Sequence, residues 1–345
     1  MLSVFTLERA VEWDSTVRSF CEYDTYWLSG YVKAFMIHGE GDPMLFYYDD
    51  GNTRGINVVM KRDIAKSPAF SGKLPENTYF DFSTPYGYGG WLIEGDNTQS
   101  LFDAYEKWCV DNGIVSEFVR FHPVIGNHIV SEGAYEIVHR GLTVTMDLSS
   151  EDVIWANITS KNRNVIRKAQ KNNVTIHSGR SEDIFKTFRE IYNETMDKDN
   201  ADSYYYFGED FYQSVREDLP DNAQIFYAVY ENEIIAAAIF LTANGKINYH
   251  LSGSRRMYSS LAPTNLLLYE VAKWGCLNGY KSLYLGGGVG SEEDSLFKFK
   301  KAFYRPEDLN RFVIGKKIFD RETYDKLICA RGDIPERVFF PQYRA

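Results

Sequence analysis

One motif occurs twice, half a chain apart, and it limits the folds open to this sequence. Leu101–Pro123 (LFDAYEKWCVDNGIVSEFVRFHP) and Leu266–Gly288 (LLLYEVAKWGCLNGYKSLYLGGG) share one plan. Each runs from a helical apolar pattern ending in tryptophan, through Asn-Gly, into an apolar stretch. Trp108 and Trp274 stand five residues before Gly113 and Gly279, and Asn112 and Asn278 precede those glycines. Glycine after a helical run takes the left-handed conformation that ends a helix at little cost. The β-branched and aromatic residues that follow suit a buried strand. The repeat predicts two copies of one α/β unit, and 345 residues are enough for both.

Neighbouring segments fit the same plan. Met44–Met60 and Ile225–Ser254 read as apolar strands separated by polar reversals at Asp50-Gly51, Asn232-Glu233 and Asn244-Gly245. A meander thus leads towards a helix and one further strand in each half. The domain joint is expected within Met146–Asn162, where Ser149 or Ser150 can cap a helix whose first turn carries Glu151 and Asp152.

Composition removes several function classes. Lysine and arginine number 38 against 48 aspartates and glutamates, a net charge of −10, which argues against a protein that coats nucleic acid non-specifically. A local basic patch stays open. Cys21, Cys109, Cys276 and Cys329 are widely spaced with no CxxC, which suits neither a disulfide framework nor a zinc site. The six histidines show no HExxH spacing, so no metal is expected. With no signal-like N-terminus and no apolar run near the roughly 18 residues of a membrane span, a cytoplasmic protein without a transmembrane segment is expected.

A meander, helix and strand in this order resemble the acyltransferase fold of the GNAT superfamily, whose central strands splay to admit an acyl donor. Members that use acyl-CoA carry an Arg/Gln-x-x-Gly-x-Gly/Ala loop after the fourth strand, and its backbone N–H groups hold pyrophosphate. The equivalent loop here, Ser252–Asn265 (SGSRRMYSSLAPTN), has arginines but no Gly-x-Gly, and Pro263 removes a donor. Ser83–Ser100 lacks the pattern as well.

The stretch Tyr284–Tyr304 (YLGGGVGSEEDSLFKFKKAFY) carries the remaining chemistry. Its triple glycine invites a phosphate-loop reading, but Glu292, Glu293 and Asp294 follow and would repel an anion. The glycines read better as a strand end that needs close backbone approach. Asp294 or Ser295 caps the next helix, with Phe299 and Phe303 on one face, joined by Leu296. Lys300 stands at the edge of that face. Spacing alone leaves two readings: a solvated basic helix, the commoner case, or a lysine turned into a cleft to stabilise an oxyanion. Elsewhere, Arg163, Arg167, Lys168 and Lys171 recur at helical spacing, as a phosphate-binding face or a solvated one. Tyr205, within Ser203–Phe207 (SYYYF), can stack on a base or sugar, although aromatic runs are more often core. His250 can act as a base, but a satisfied core histidine is the commoner case. No Gly-x-Ser-x-Gly or nucleophilic cysteine context occurs, so direct acyl transfer is expected.

GGGVGSEEDSLFKFKKAF, together with YWLSGYVKAF, TPYGYGG, VRFHP, KNRNVIRKAQKNNV and IYNETMDKDNADSYYYF in order along the chain, resembles the Fem-type (FemABX) peptidoglycan aminoacyltransferases. The resemblance implies two tandem GNAT-like units, α/β (α+β), each a mixed, mostly antiparallel sheet flanked by helices, with a cleft between them. Residues 1–148 would form the first unit, completed by the returning segment 312–345. Residues 149–311 would form the second, with the acyl-transfer centre, and no coiled-coil arm has a counterpart here. The implied reaction moves an aminoacyl group from aminoacyl-tRNA to an amine of a peptidoglycan precursor, either a UDP-muramyl peptide or its lipid-linked form, with at most transient membrane-surface contact and no cofactor. By the same resemblance Lys300 and Phe299 lie at the transfer centre, Lys33 holds precursor phosphates, and Tyr249 lines the acceptor cleft. Lys198 falls where the family usually has arginine, and a lysine lacks the bidentate fork. Two other readings stand beside this one: an acyl-CoA-dependent N-acyltransferase acting on a sugar amine or small metabolite, and a non-catalytic protein that binds precursor or tRNA.

Overall fold

A computed structural model describes residues 1–332 and 339–345, which divide into two compact units, Met1–Arg140 with Phe312–Ala345 and Gly141–Arg311. The first unit runs β1 (Leu2–Phe5), α1 (Ala10–Arg18), α2 (Ser29–Ile37), β2 (Asp42–Asp49), β3 (Arg54–Asp63), β4 (Phe80–Ser83), a short β5 (Leu92–Glu94), α3 (Thr98–Asp111) and β6 (Ile114–Phe121). Strands β1 to β4 form an antiparallel meander, β5 adds to β3, and β6 joins β4 in parallel.

Strand β7 (Glu136–Asp147) carries the chain into the second unit, where the same order recurs. After α4 (Glu151–Asn157) and α5 (Ser160–Lys171) come β8 (Thr175–Gly179), α6 (Glu182–Lys198), α7 (Glu209–Asp218), β9 (Ala223–Tyr230), β10 (Glu233–Ala243), β11 (Lys246–Ser254), α8 (Pro263–Leu277), β12 (Ser282–Gly286) and α9 (Ser295–Lys301). Strands β8 to β11 are an antiparallel meander, β12 joins β11 in parallel, and β7 flanks β12. The returning β13 (Asn310–Ile318) pairs with β6, and α10 (Arg321–Arg331) follows. The returning segment thus supplies most of β13 and all of α10, and residues 333–338 lie outside the described residues.

The repeated motif is α3–β6 and α8–β12. Both helices end at the asparagines, Asn112 and Asn278, and both following glycines are left-handed, Gly113 at φ +69° and Gly279 at φ +78°. Trp108 of α3 meets Phe46 of β2 edge-on at 4.8 Å, and Trp274 of α8 meets Phe226 of β9 at 5.1 Å. Equivalent tryptophans therefore pin equivalent helices to equivalent strands. The hairpins of the second unit turn on Glu231-Asn232 and Asn244-Gly245, all four at positive φ, which matches the twist of the flanking strands. Of the two candidate caps at the joint, Ser150 is the one used, its hydroxyl accepting from Val153 N at 3.1 Å.

Candidate active site

Strands β11 and β12 pair only over Lys246–Asn248 and Ser282–Tyr284. Beyond those three rungs each follows its other neighbour. Strand β11 stays on β10, with a register shift that leaves His250 as the extra residue between the pairs Phe240–Tyr249 and Ile239–Leu251. Strand β12 stays on β7, with a shift between Tyr284 and Gly286. The parallel strands thus part into a wedge bounded by Tyr249 and His250 on one side and by Leu285 and the glycines on the other. A parted strand pair offers main-chain groups to an extended substrate.

Helix α9 delivers Lys300 to the glycine side of this wedge. Asp294 caps the helix by accepting from Phe297 N at 2.8 Å, and also accepts from Val289 N at 3.2 Å. Phe297 and Phe303 are buried and Phe299 is partly so, with its ring edge-on to Phe303 at 5.6 Å. Leu296 departs from the sequence expectation: it is 38% exposed, and Phe297 takes the buried place. Lys300 Nζ donates to the Gly287 carbonyl at 2.7 Å. Burial pulls its pKa down to about 8, with the Asp294 carboxylate pulling the other way.

The triple glycine serves this lysine and the cap. Gly286 sits at φ +82°, and a Cβ there would lie 3.3 Å from Lys300 Nζ. A Cβ at Gly287 would lie 2.8 Å from Leu142 O, and one at Gly288 would run into Glu292 O and Asp294 Oδ1. Protein groups already occupy the space that a phosphate loop would hold open.

Tyr249 is half-buried, its ring 5.5 Å from Phe240, and burial raises its hydroxyl to about 12. Burial lowers His250 to about 3, which makes it a neutral imidazole and a weak base at working pH. Tyr249 and Phe299 pack against one core, and Lys300 adjoins Phe299. Helix α6 lies against β11 at Gly253, where a Cβ would come within 2.6 Å of Ile191 O, and Thr195 Oγ1 accepts from Ser254 N at 3.0 Å. At the end of α6, Lys198 is exposed and pairs with Asp199 at 3.1 Å. Tyr205 follows in a single 3-10 turn, 37% exposed and edge-on to Tyr204 at 5.3 Å. Lys33 belongs to the first unit, half-buried on α2 between buried Val32 and Ala34.

The loop from β11 to α8 forms a 3-10 turn, Arg256–Leu261, then Ala262 at φ +51°, with Pro263 opening the helix. The Arg255 guanidinium pairs with Glu233, whose other oxygen accepts from Tyr258 OH at 2.6 Å. The splayed central strands that the GNAT resemblance implies are this wedge, and the register shifts at His250 and after Tyr284 mark where it opens.

Residues 159–301 match the family described as an acetyltransferase (GNAT) domain. No curated protein matches the sequence. The crystal structure of FemX superposes with a TM-score of 0.68 at 15% identity, covering 94% of this chain and 99% of that one. The C-terminal domain of a putative lysylphosphatidylglycerol synthetase from Agrobacterium fabrum gives 0.55 at 13% identity, covering 90% and 91%. The L-PGS structure from Bacillus licheniformis gives 0.52 at 13% identity, covering 86% and 90%. With its order of elements occurring twice and its second unit matching an acyltransferase domain, the chain has the tandem GNAT fold of the Fem type.

Proposed function

We propose that this chain transfers an aminoacyl group from aminoacyl-tRNA to an amine of a peptidoglycan precursor peptide, in the cytoplasm. The observation that carries the reading is Lys300, held over a glycine floor at the mouth of a parted strand pair, its pKa lowered by burial to about 8. The deprotonated acceptor amine attacks the ester carbonyl, and its nitrogen bonds to the acyl carbon. The ammonium of Lys300 steadies the tetrahedral oxyanion. The C–O bond to the ribose then breaks, and the ribose hydroxyl leaves with the proton shed by the amine. Holding both substrates in line supplies much of the rate, so no strong protein base is required. Phe299 and Tyr249 orient the acceptor, Tyr205 offers a stacking surface, and Lys33 and Lys198 hold precursor phosphates. The likeness to FemX supports the fold on which this reading rests.

The acyl-CoA reading retains one observation. Helix α8 follows β11 with no side-chain cap, so the N–H groups of its first turn meet no side-chain acceptor of their own helix cap. Purified protein given a UDP-muramyl peptide with either an aminoacyl-tRNA pool or acetyl-CoA separates the two. A mass increase of one amino-acid residue from the tRNA pool is expected. Acetylation of the peptide or of a sugar amine, with none from tRNA, would overturn the proposal.

A further inference from the structure

Helix α5 carries a basic face that the transfer chemistry does not use. Asn162, Ile166 and Ala169 bury one side. On the other, Arg163, Arg167 and Lys171 form a row at four-residue steps, flanked by Lys161 and Lys168. At 1.5 Å per residue the row is about 12 Å long. Among the described residues, none of these five joins an ion pair with a carboxylate, although the chain carries ten more acidic than basic residues. Glu270, at the border of the face, pairs with Lys273. The two guanidiniums are pre-set: Arg163 and Arg167 stand over the Trp155 ring at 5.9 and 5.0 Å, and Arg163 also donates to Trp155 O at 3.1 Å. Between the cations stand only Ser160 and Asn164.

This face is tied to the lysine-bearing helix. Thr159 N and Asn162 Nδ2 both donate to Ala302 O, at 3.0 and 3.4 Å, one residue past the end of α9. Arg305 N donates to Asn157 O at 2.9 Å and its guanidinium to Ala156 O at 2.6 Å, which adds a sixth cation beside α4.

We infer that the α5 face, with Arg305, docks the phosphate backbone of a double-stranded RNA stem whose 3′ end reaches the wedge. The inference rests on the aminoacyl-tRNA reading above and names the surface that would hold its donor. A row of unpaired cations backed by an aromatic ring suits backbone phosphates. A lipid surface suits it poorly, since the exposed arc has no apolar side chain to insert.

The test uses the full chain and a labelled RNA hairpin ending in an acceptor-stem sequence, followed by fluorescence anisotropy over a salt series. Lys168→Gln/Lys171→Gln should weaken binding at least tenfold near 0.1 M salt and reduce the log–log salt slope by about 2. The same variant should transfer normally from a short aminoacyl-dinucleotide, which cannot reach α5. Unchanged hairpin binding in the variant, no hairpin binding by the parent chain, or binding only to anionic vesicles would each overturn the inference. Weakened binding without transfer from any donor would uphold the RNA surface and sink the aminoacyl reading instead.

Discussion

At the scale of single residues, the proposed transfer depends on Lys300 being charged yet poorly hydrated. Removing a preorganised oxyanion donor typically costs 10²–10³ in rate, so Lys300→Met should lower kcat by about that factor. Its fold should not suffer. The folded pKa of about 8 lies below the ordinary value of 10.5, so between those two pH values the unfolded chain holds a proton that the folded chain has lost. Stability contributed by this group therefore rises with pH across that window and is least below it. Thermal melts at pH 7 should show the methionine variant at or above the parent Tm. Activity moves the opposite way: if the ammonium is the working form, kcat/KM falls as pH passes about 8, and Lys300→Arg moves that falling limb to higher pH while retaining part of the activity. A limb left in place by the arginine variant would assign it to another group. Gly286→Ala tests the floor. Its positive φ and the 3.3 Å approach to Lys300 Nζ predict a loss of activity with little loss of secondary structure, read by parallel rate and circular-dichroism measurements.

At the scale of elements, close backbone approach decides where helices lie. Gly253 lets α6 cross β11 with its backbone in contact, and Gly253→Ala should cost about 1–3 kcal/mol in denaturant melts by forcing helix and strand apart. This scale also separates what the amino-acid order reveals from what it hides. The Asn-Gly helix stops, the Asn244-Gly245 hairpin and the Ser150 and Asp294 caps are all local, each decided within a few residues, and were readable. The turn expected at Asn232-Glu233 forms one residue earlier, on Glu231-Asn232, because Glu233 already pairs with Tyr230. Leu296 was misplaced because a seven-residue helix offers too few turns for periodicity to choose between it and Phe297. The wedge was expected from the resemblance to a fold with splayed central strands, but its position was not readable. Its exact place depends on where β11 and β12 stop pairing, after Asn248 and Tyr284, and on the long-range pairing that holds β12 to β7, while β11 stays on its local hairpin partner β10. Lys300 was picked out by its sequence context, but its burial and its carbonyl partner exist only once the glycine run has folded beneath it.

At the scale of the whole molecule, the first unit is completed by the far end of the chain. Tyr343 is fully buried there, its hydroxyl 2.7 Å from Ser116 Oγ and 3.1 Å from Asp81 Oδ2, and Asp81 also takes ion pairs from Arg62 and Arg344. Tyr343→Ala opens a cavity and strips a buried carboxylate of one donor, so it should destabilise by about 3–5 kcal/mol. Chemical denaturation with a probe in the first unit checks this. Among the described residues no helix is long and apolar enough to cross a membrane. Transfer at the wedge of the second unit is tested by a single assay. Full-length protein is incubated with labelled aminoacyl-tRNA and a UDP-muramyl peptide, with and without prior ribonuclease, beside Lys300→Met. The expected result is label on the muramyl peptide that ribonuclease abolishes and the methionine variant reduces by about two orders of magnitude or more. Ribonuclease-resistant label, or a methionine variant as active as the parent, would contradict it.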